Sequence, residues 1–165
     1  DMGTHVPLVA SWPGKSPTGV VSDDLVDFTD IYPTFADAAG VSLGNDDPVD
    51  GRSFLPQVSG LPGHSRECVF LHYQPYWNAQ PGQFARTQKF KLYRDGRFFD
   101  VPNDLEESKA LKQAGLSEAS SRQRKMLQKV LDASPPAPTE PGSRKTTERP
   151  TYADWPHFIR NKLFE

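Results

Sequence analysis

Cysteine is almost missing: Cys68 is the single one among 165 residues, which excludes an intrachain disulfide and any metal centre built on several thiolates. No apolar run approaches the roughly 20 residues that would cross a bilayer as a helix. Neither sign of charge is in excess. Nineteen Lys and Arg face 21 Asp and Glu, a formal net charge of −2, so nothing in the balance calls for a nucleic-acid or anionic-membrane partner. Apolar residues are sparse at 36%, whereas 16 prolines is many, and together these predict a modest core carrying a sizeable irregular portion. No internal repeat is visible. The chain begins at Asp1 without an initiator Met and reads as a cut or processed end, so a missing leader says nothing of location.

What is present falls into an order. Val6-Pro7-Leu8-Val9-Ala10-Ser11-Trp12, closed by Pro13-Gly14, is an apolar run without alternation and reads as a strand buried on both faces, as in a parallel sheet. The rest of the chain has no repeated strand–helix units to flank it. Thr29 to Gly40 predicts a helix, with Thr29 as N-cap, Asp30 at the positive end and Gly40 as the C′ stop. Ile31, Phe35, Ala38 and Ala39 share one face of it and are expected to pack on a core. Residues 41–63 read as loop, with one short helical turn near Ser53–Val58.

Strand signals follow at Glu67–Tyr73, Phe84–Thr87, Phe90–Arg94 and Arg97–Val101. Asp95-Gly96 between the last two predicts a two-residue type I′ hairpin. That register sets Tyr93 against Phe98, Leu92 against Phe99, Lys91 against Asp100 and Phe90 against Val101. Ser117 to Ala133 predicts a second long helix with Ala119, Met126, Leu127, Val130 and Leu131 as its apolar stripe. Its basic residues Arg122, Arg124, Lys125 and Lys129 fall mostly elsewhere and read as a solvated side. Residues 134–150 are Pro-rich and predict an extended linker, and Tyr152 to Phe164 reads as a tail that docks on a surface.

Four segments in this order carry a resemblance. They are Gly3-Thr4-His5-Val6-Pro7-Leu8 with Trp12-Pro13-Gly14; Asp30-Ile31-Tyr32-Pro33-Thr34 with Ala39-Gly40; Asp50-Gly51-Arg52-Ser53; and Arg86-Thr87 followed by Tyr93-Arg94-Asp95-Gly96 and Asp100. Beyond them Asp104, Glu107 and Leu111 fit an Asp-Pro-x-Glu-x-x-Asn-Leu pattern, with Leu105 in place of the proline and Ala110 in place of the asparagine. The set resembles the C-terminal third of a type I sulfatase of the alkaline phosphatase superfamily over roughly residues 3–111.

The resemblance implies an α/β parent, of which this stretch is α+β. Residues 1–63 would end the main α/β domain, 64–133 would form the small antiparallel sheet with a packed helix, and 134–165 would be linker and tail. It also implies hydrolysis of sulfate esters through a formylglycine made from Cys or Ser in a Cys/Ser-x-Pro-x-Arg signature, with Ca²⁺ absorbing the developing charge. Cys68 is followed by Val69-Phe70-Leu71 and does not fit that signature. Ser11-Trp12-Pro13-Gly14-Lys15 comes nearest, with Lys where Arg is required. The family's metal ligands and sulfate-contacting lysine precede this region, so nucleophile and cation are expected in the parent and this chain alone is expected to be inactive.

The candidate substrate-binding residues are His72, His5, Tyr73 and Trp77. His72 either reaches a sulfate oxygen or sugar hydroxyl from a strand end over the cleft, or bonds backbone or water. His5 either approaches the anion or fills a place where relatives carry a structural Arg. Tyr73, Tyr76 and Trp77 form a platform for a sugar or aryl group, or belong to core and sheet edge. Arg86 bonds carboxylates or backbone in the sheet, and Asp30 and Asp50 read as cap and turn residues rather than metal ligands. The expected substrate is a sulfated small molecule or carbohydrate, with no nucleic-acid or membrane partner and a periplasmic or secreted parent. Two rival readings are a phosphonate or phosphodiester hydrolase of the same superfamily and a non-catalytic binding module.

Overall fold

The computed structural model describes residues 5–44, 49–73 and 82–135. Its sheet is a meander of four antiparallel strands in the order β1 (Val69–Tyr73), β2 (Gly82–Arg86), β3 (Phe90–Tyr93) and β4 (Phe98–Asp100). The period of two divides their side chains cleanly. One face carries Phe70, Ala85, Phe90, Leu92 and Phe98, and receives Leu127 and Leu131 from helix α3 (Glu118–Ala133). This is the core, with Met126 and Val130 packed at its margin. Ser117 caps α3 by accepting a hydrogen bond from the Ser120 N–H at 3.2 Å. Ala119, expected in the apolar stripe, is exposed, and Ser120 is buried in its stead.

The hairpin differs from expectation by one residue. Tyr93 N–H donates to the Arg97 carbonyl at 2.9 Å, and the strands pair Leu92 with Phe98, Lys91 with Phe99 and Phe90 with Asp100. Arg94, Asp95 and Gly96 therefore form a three-residue loop, closed by Gly96 N–H to the Tyr93 carbonyl, with Gly96 at φ +93°. A turn followed by a left-handed glycine is a G1 bulge, and a slip of one residue exchanges faces. Phe98 rather than Phe99 thus faces α3, and Lys91 leaves Asp100 for another partner.

Ahead of the sheet lies helix α1 (Ile31–Ala38), entered through a 3₁₀ turn at Phe28–Asp30. That turn is capped by Asp27 rather than Thr29: the Asp27 carboxylate accepts from Thr29 N–H at 2.9 Å, while Asp27 N–H donates to Asp30 Oδ2 at 2.9 Å. Gly40, at φ +69°, stops the helix as expected, with Val41 N–H reaching the Ala36 carbonyl and Gly40 N–H the Asp37 carbonyl. The face expected to be buried is not. Phe35 is 71% exposed, and the buried positions are Pro33 and Thr34. The short helix α2 (Leu55–Val58) matches the predicted turn. Val6–Trp12 forms no strand among the described residues; Val9 is 89% exposed, and Val6 and Leu8 are exposed with it. The predicted linker from residue 136 on and the tail lie outside the described residues.

Asp30 ties these parts together. It is 2% exposed, and its carboxylate accepts the Arg52 N–H at 2.7 Å, the Asp27 N–H, and both Nε and Nη2 of Arg66 in a two-pronged ion pair. The Thr34 hydroxyl donates to the Asp30 carbonyl at 2.6 Å and accepts from Phe54 N–H at 3.0 Å. Ser53 donates to Asp37 at 2.7 Å. Segments 30–34 and 50–54 are therefore two halves of one lock, and Gly51 is where they touch: a Cβ there would lie 1.8 Å from the Thr29 carbonyl oxygen. Burial works against Asp30 ionising, but Arg66 and the two backbone N–H groups outweigh it and hold the carboxyl below its ordinary value.

Two predictions follow from the lock. A carboxyl whose pKa is lower in the folded chain than in the unfolded one contributes stability above its unfolded pKa, near ~3.9, and loses it as pH falls through the folded value. The urea midpoint should hold from pH 7 to about 5 and drop below about 4. In Asp30→Asn that drop should shrink, on a midpoint already lowered at pH 7; an unchanged pH slope in the variant would contradict the assignment. Gly51→Ala should cost about 1–3 kcal/mol in the same measurement, since its new methyl meets backbone rather than a movable side chain.

Candidate functional site

The sheet face turned away from α3 is polar at its centre. Lys91 and Tyr93 from β3, Phe99 from β4, and Phe84 and Arg86 from β2 stand together on it. Lys91 is buried and donates to Glu107 Oε1 at 2.7 Å, and its Nζ lies 4.0 Å from the Phe84 ring centroid and 4.9 Å from that of Tyr93. The Tyr93 hydroxyl donates to Glu107 Oε2 at 2.5 Å. Burial opposes a charge on Glu107, yet Lys91 and Tyr93 outweigh it and the carboxyl sits below its usual range. For Tyr93, burial and the neighbouring carboxylate push the phenol up. Burial pulls Arg86 down, with Glu107 opposing, and its Nε donates to the Thr87 carbonyl at 3.2 Å.

Glu107 reaches this cluster from a strap that follows β4. Asp104 begins it: its carboxylate accepts from Ser108 N–H at 3.0 Å and Lys109 N–H at 2.8 Å. That turn places Glu107 at φ +54°, a left-handed backbone uncommon outside glycine. Leu111 N–H then donates to the Phe98 carbonyl at 2.7 Å, on the outer edge of β4. The two departures from the motif, Leu105 and Ala110, are both exposed. The strap is a structural arrangement of cation, anion and phenol.

His72 lies elsewhere. It sits near the end of β1 directly opposite Gln83 of β2, on the same face as α3. Its ring is exposed, and Nδ1 lies 2.9 Å from Gln83 Nε2. Gln83 is 4% exposed and donates also to the Pro135 carbonyl, 3.0 Å away, just past the end of α3. Arg94 holds that end, its Nη2 donating to the carbonyls of Leu131 at 2.7 Å and Ser134 at 3.2 Å.

Of the sequence candidates, His72 and Tyr73 are neighbours in β1, so alternation sends them to opposite faces; both are exposed. They do not share one pocket wall as strand residues. His5 lies in the exposed N-terminal segment. Trp77 and Tyr76 lie outside the described residues. Gln83 was not a sequence candidate: the second strand is expected to start at Phe84, whereas it starts at Gly82 and takes Gln83 into the ladder opposite His72. Cys68 packs half-buried against the core, and burial pushes its thiol up, an environment unsuited to a nucleophile. Among the described residues no three His, Cys, Asp or Glu side chains converge on a point that would hold a cation. Asp30 has its carboxylate committed to Arg66 and backbone N–H groups. Nor is any described helix long and apolar enough to cross a membrane.

Residues 1–133 match the family model described as N-sulphoglucosamine sulphohydrolase, C-terminal. An ulvan-active sulfatase of Formosa agariphila is 32% identical over 105 residues, 61% of this chain and 21% of that protein. Arylsulfatase G of Canis lupus familiaris is 45% identical over 90 residues, 54% of this chain and 16% of that protein. Among solved structures, BT4656 in complex with its substrate D-glucosamine-2-N,6-O-disulfate aligns over 62% of this chain and 22% of that one, at 29% identity and a TM-score of 0.48. The chain therefore spans about a fifth, or less, of the length of these relatives.

Breaking the strap's ion pair has a testable signature. Glu107→Gln should cost about 3 kcal/mol in urea unfolding, because it leaves the Lys91 ammonium buried without its anion. The double replacement Lys91→Met with Glu107→Leu should cost less than either single change, since it leaves no buried charge unpaired. Additive losses would show the two side chains to be independent.

Proposed function

The chain belongs to the family of N-sulphoglucosamine sulphohydrolase C-terminal regions, and from that premise we propose that it is the closing part of an enzyme that hydrolyses sulfate esters to alcohol and sulfate. The observation that carries this reading is the family match over residues 1–133, which includes both halves of the Asp30 lock and the whole sheet. The substrate class supported is a sulfated carbohydrate, in keeping with the sulfated sugar in the family's description. A periplasmic or secreted parent fits the same reading.

Residues 1–63 would form the end of the parent's main α/β domain, and residues 64–133 would form the smaller antiparallel unit. Exposed Val6, Leu8, Val9, Phe28, Tyr32 and Phe35 support this, because so many large apolar side chains in one stretch are the composition of a covered surface. A formylglycine and a divalent cation, held by residues preceding this stretch in the parent, would supply the nucleophile and neutralise charge at sulfur. The donors described in this chain do not form a site for that cation.

What this chain contributes is substrate contact. His72 stands exposed at a strand end, and an imidazole N–H there suits a sulfate oxygen or a sugar hydroxyl. His5, Tyr73 and Trp77 are proposed as further contacts, Tyr73 from the other side of β1. With an aryl sulfate and excess Ca²⁺ the 165-residue chain should show no turnover, and the full-length parent should. Clear turnover by the chain alone would refute the division of labour. In the parent, His72→Ala should raise KM about tenfold, the loss of one hydrogen bond to a charged group, with kcat less affected.

A further inference from the structure

We propose that Gln83 is a positioning residue that fixes the proton of the neutral His72 ring on Nε2. The oxygen of an amide accepts hydrogen bonds and its nitrogen donates them. One atom of the Gln83 amide lies 3.0 Å from the Pro135 carbonyl oxygen and 2.9 Å from His72 Nδ1. The Pro135 carbonyl only accepts, so the atom facing it is the nitrogen. A flipped amide would set two oxygens against each other in a buried place. The same nitrogen then has its second N–H for Nδ1, which makes Nδ1 the acceptor and leaves the ring proton on Nε2.

Each link is held by the fold. Gln83 is 4% exposed and lies opposite His72 in the β1–β2 ladder, so its side chain starts on the face of the ring. Pro135 follows the end of α3, where Arg94 grips the Leu131 and Ser134 carbonyls and comes within 3.5 Å of the Pro135 oxygen. The orientation of the imidazole therefore traces back through a carbonyl and a guanidinium to the β3–β4 turn. An Nε2–H ring is a donor at its outer nitrogen. That polarity matches an anionic sulfate oxygen and opposes a ligand that offers only a donor.

This rests on the reading that His72 meets the substrate, and the two are tested apart. The full-length parent is prepared with ¹⁵N in its histidine rings, and the His72 signals are assigned by their loss in His72→Ala. The expected result is a protonated Nε2 and an unprotonated Nδ1 in the neutral ring. In Gln83→Met, of similar shape without donors, the preference should weaken; in Gln83→Glu, whose carboxylate accepts, the proton should move toward Nδ1. KM for the sulfate ester should rise about fivefold in Gln83→Met, the contribution of one ordinary hydrogen bond, and should not rise further when that change is added to His72→Ala. A wild-type ring protonated on Nδ1, or a tautomer indifferent to both Gln83 variants, overturns the proposal. An unchanged KM in His72→Ala, with the tautomer as expected, overturns the substrate role of His72 instead.

Discussion

A carboxylate taken out of water is stable only when its lone pairs are filled and its charge is matched, and Asp30 meets both conditions with groups from its own helix entry and from two distant places in the chain. The Asp27 N–H closes the helix entry, the Arg52 N–H brings in the Asp-Gly loop, and Arg66 arrives from the segment leading into β1. Without this anion the helix N-terminus, the loop and the approach to the sheet would each keep an unfilled donor. Ser65 to Asp24, at 2.6 Å, and Gln88 to the Asp23 carbonyl, at 2.6 Å, run alongside it and join the same two regions. The apolar cluster that α3 completes lies between it and the sheet, and Phe84 and Phe99 are buried on the sheet's other face. Polar bonds rather than apolar packing hold α1 in place.

That division explains what was legible in the sequence. Periodicity reports burial, so α3 and the four strands, which surround the core, were found with their boundaries nearly right. In α1 the apolar residues Ile31 and Phe35 signalled a buried face that the described residues do not cover, and the true anchor was Asp30 and Thr34. The N-cap was misplaced by two residues because Asp27, Thr29 and Asp30 all have the right chemistry. The hairpin was recognised from Asp95-Gly96, but a glycine at positive φ serves both a two-residue loop and a three-residue loop with a bulge. Sequence alone does not separate those, and the difference decides whether Phe98 or Phe99 enters the core.

The candidate site was legible in part for a similar reason. A histidine at a strand end is visible as a residue type, whereas its partner is visible only once register is known. Gln83 carried no signal of its own: a glutamine in a strand reads as a solvated position until the strand opposite and the carbonyl beyond α3 are placed. Glu107 belongs to a motif, but its meaning comes from Lys91 and Tyr93, whose neighbours on β4 depend on the same hairpin register.

Arg94 occupies the loop that reverses the chain between β3 and β4, and its guanidinium adds a charged donor to the Leu131 and Ser134 carbonyls at the C-terminal end of α3. The end of α3 therefore gains this donor only once the hairpin has formed. The two elements, some 40 residues apart in sequence, are thereby coupled: loosening the hairpin loop removes a cation from the negative end of the helix.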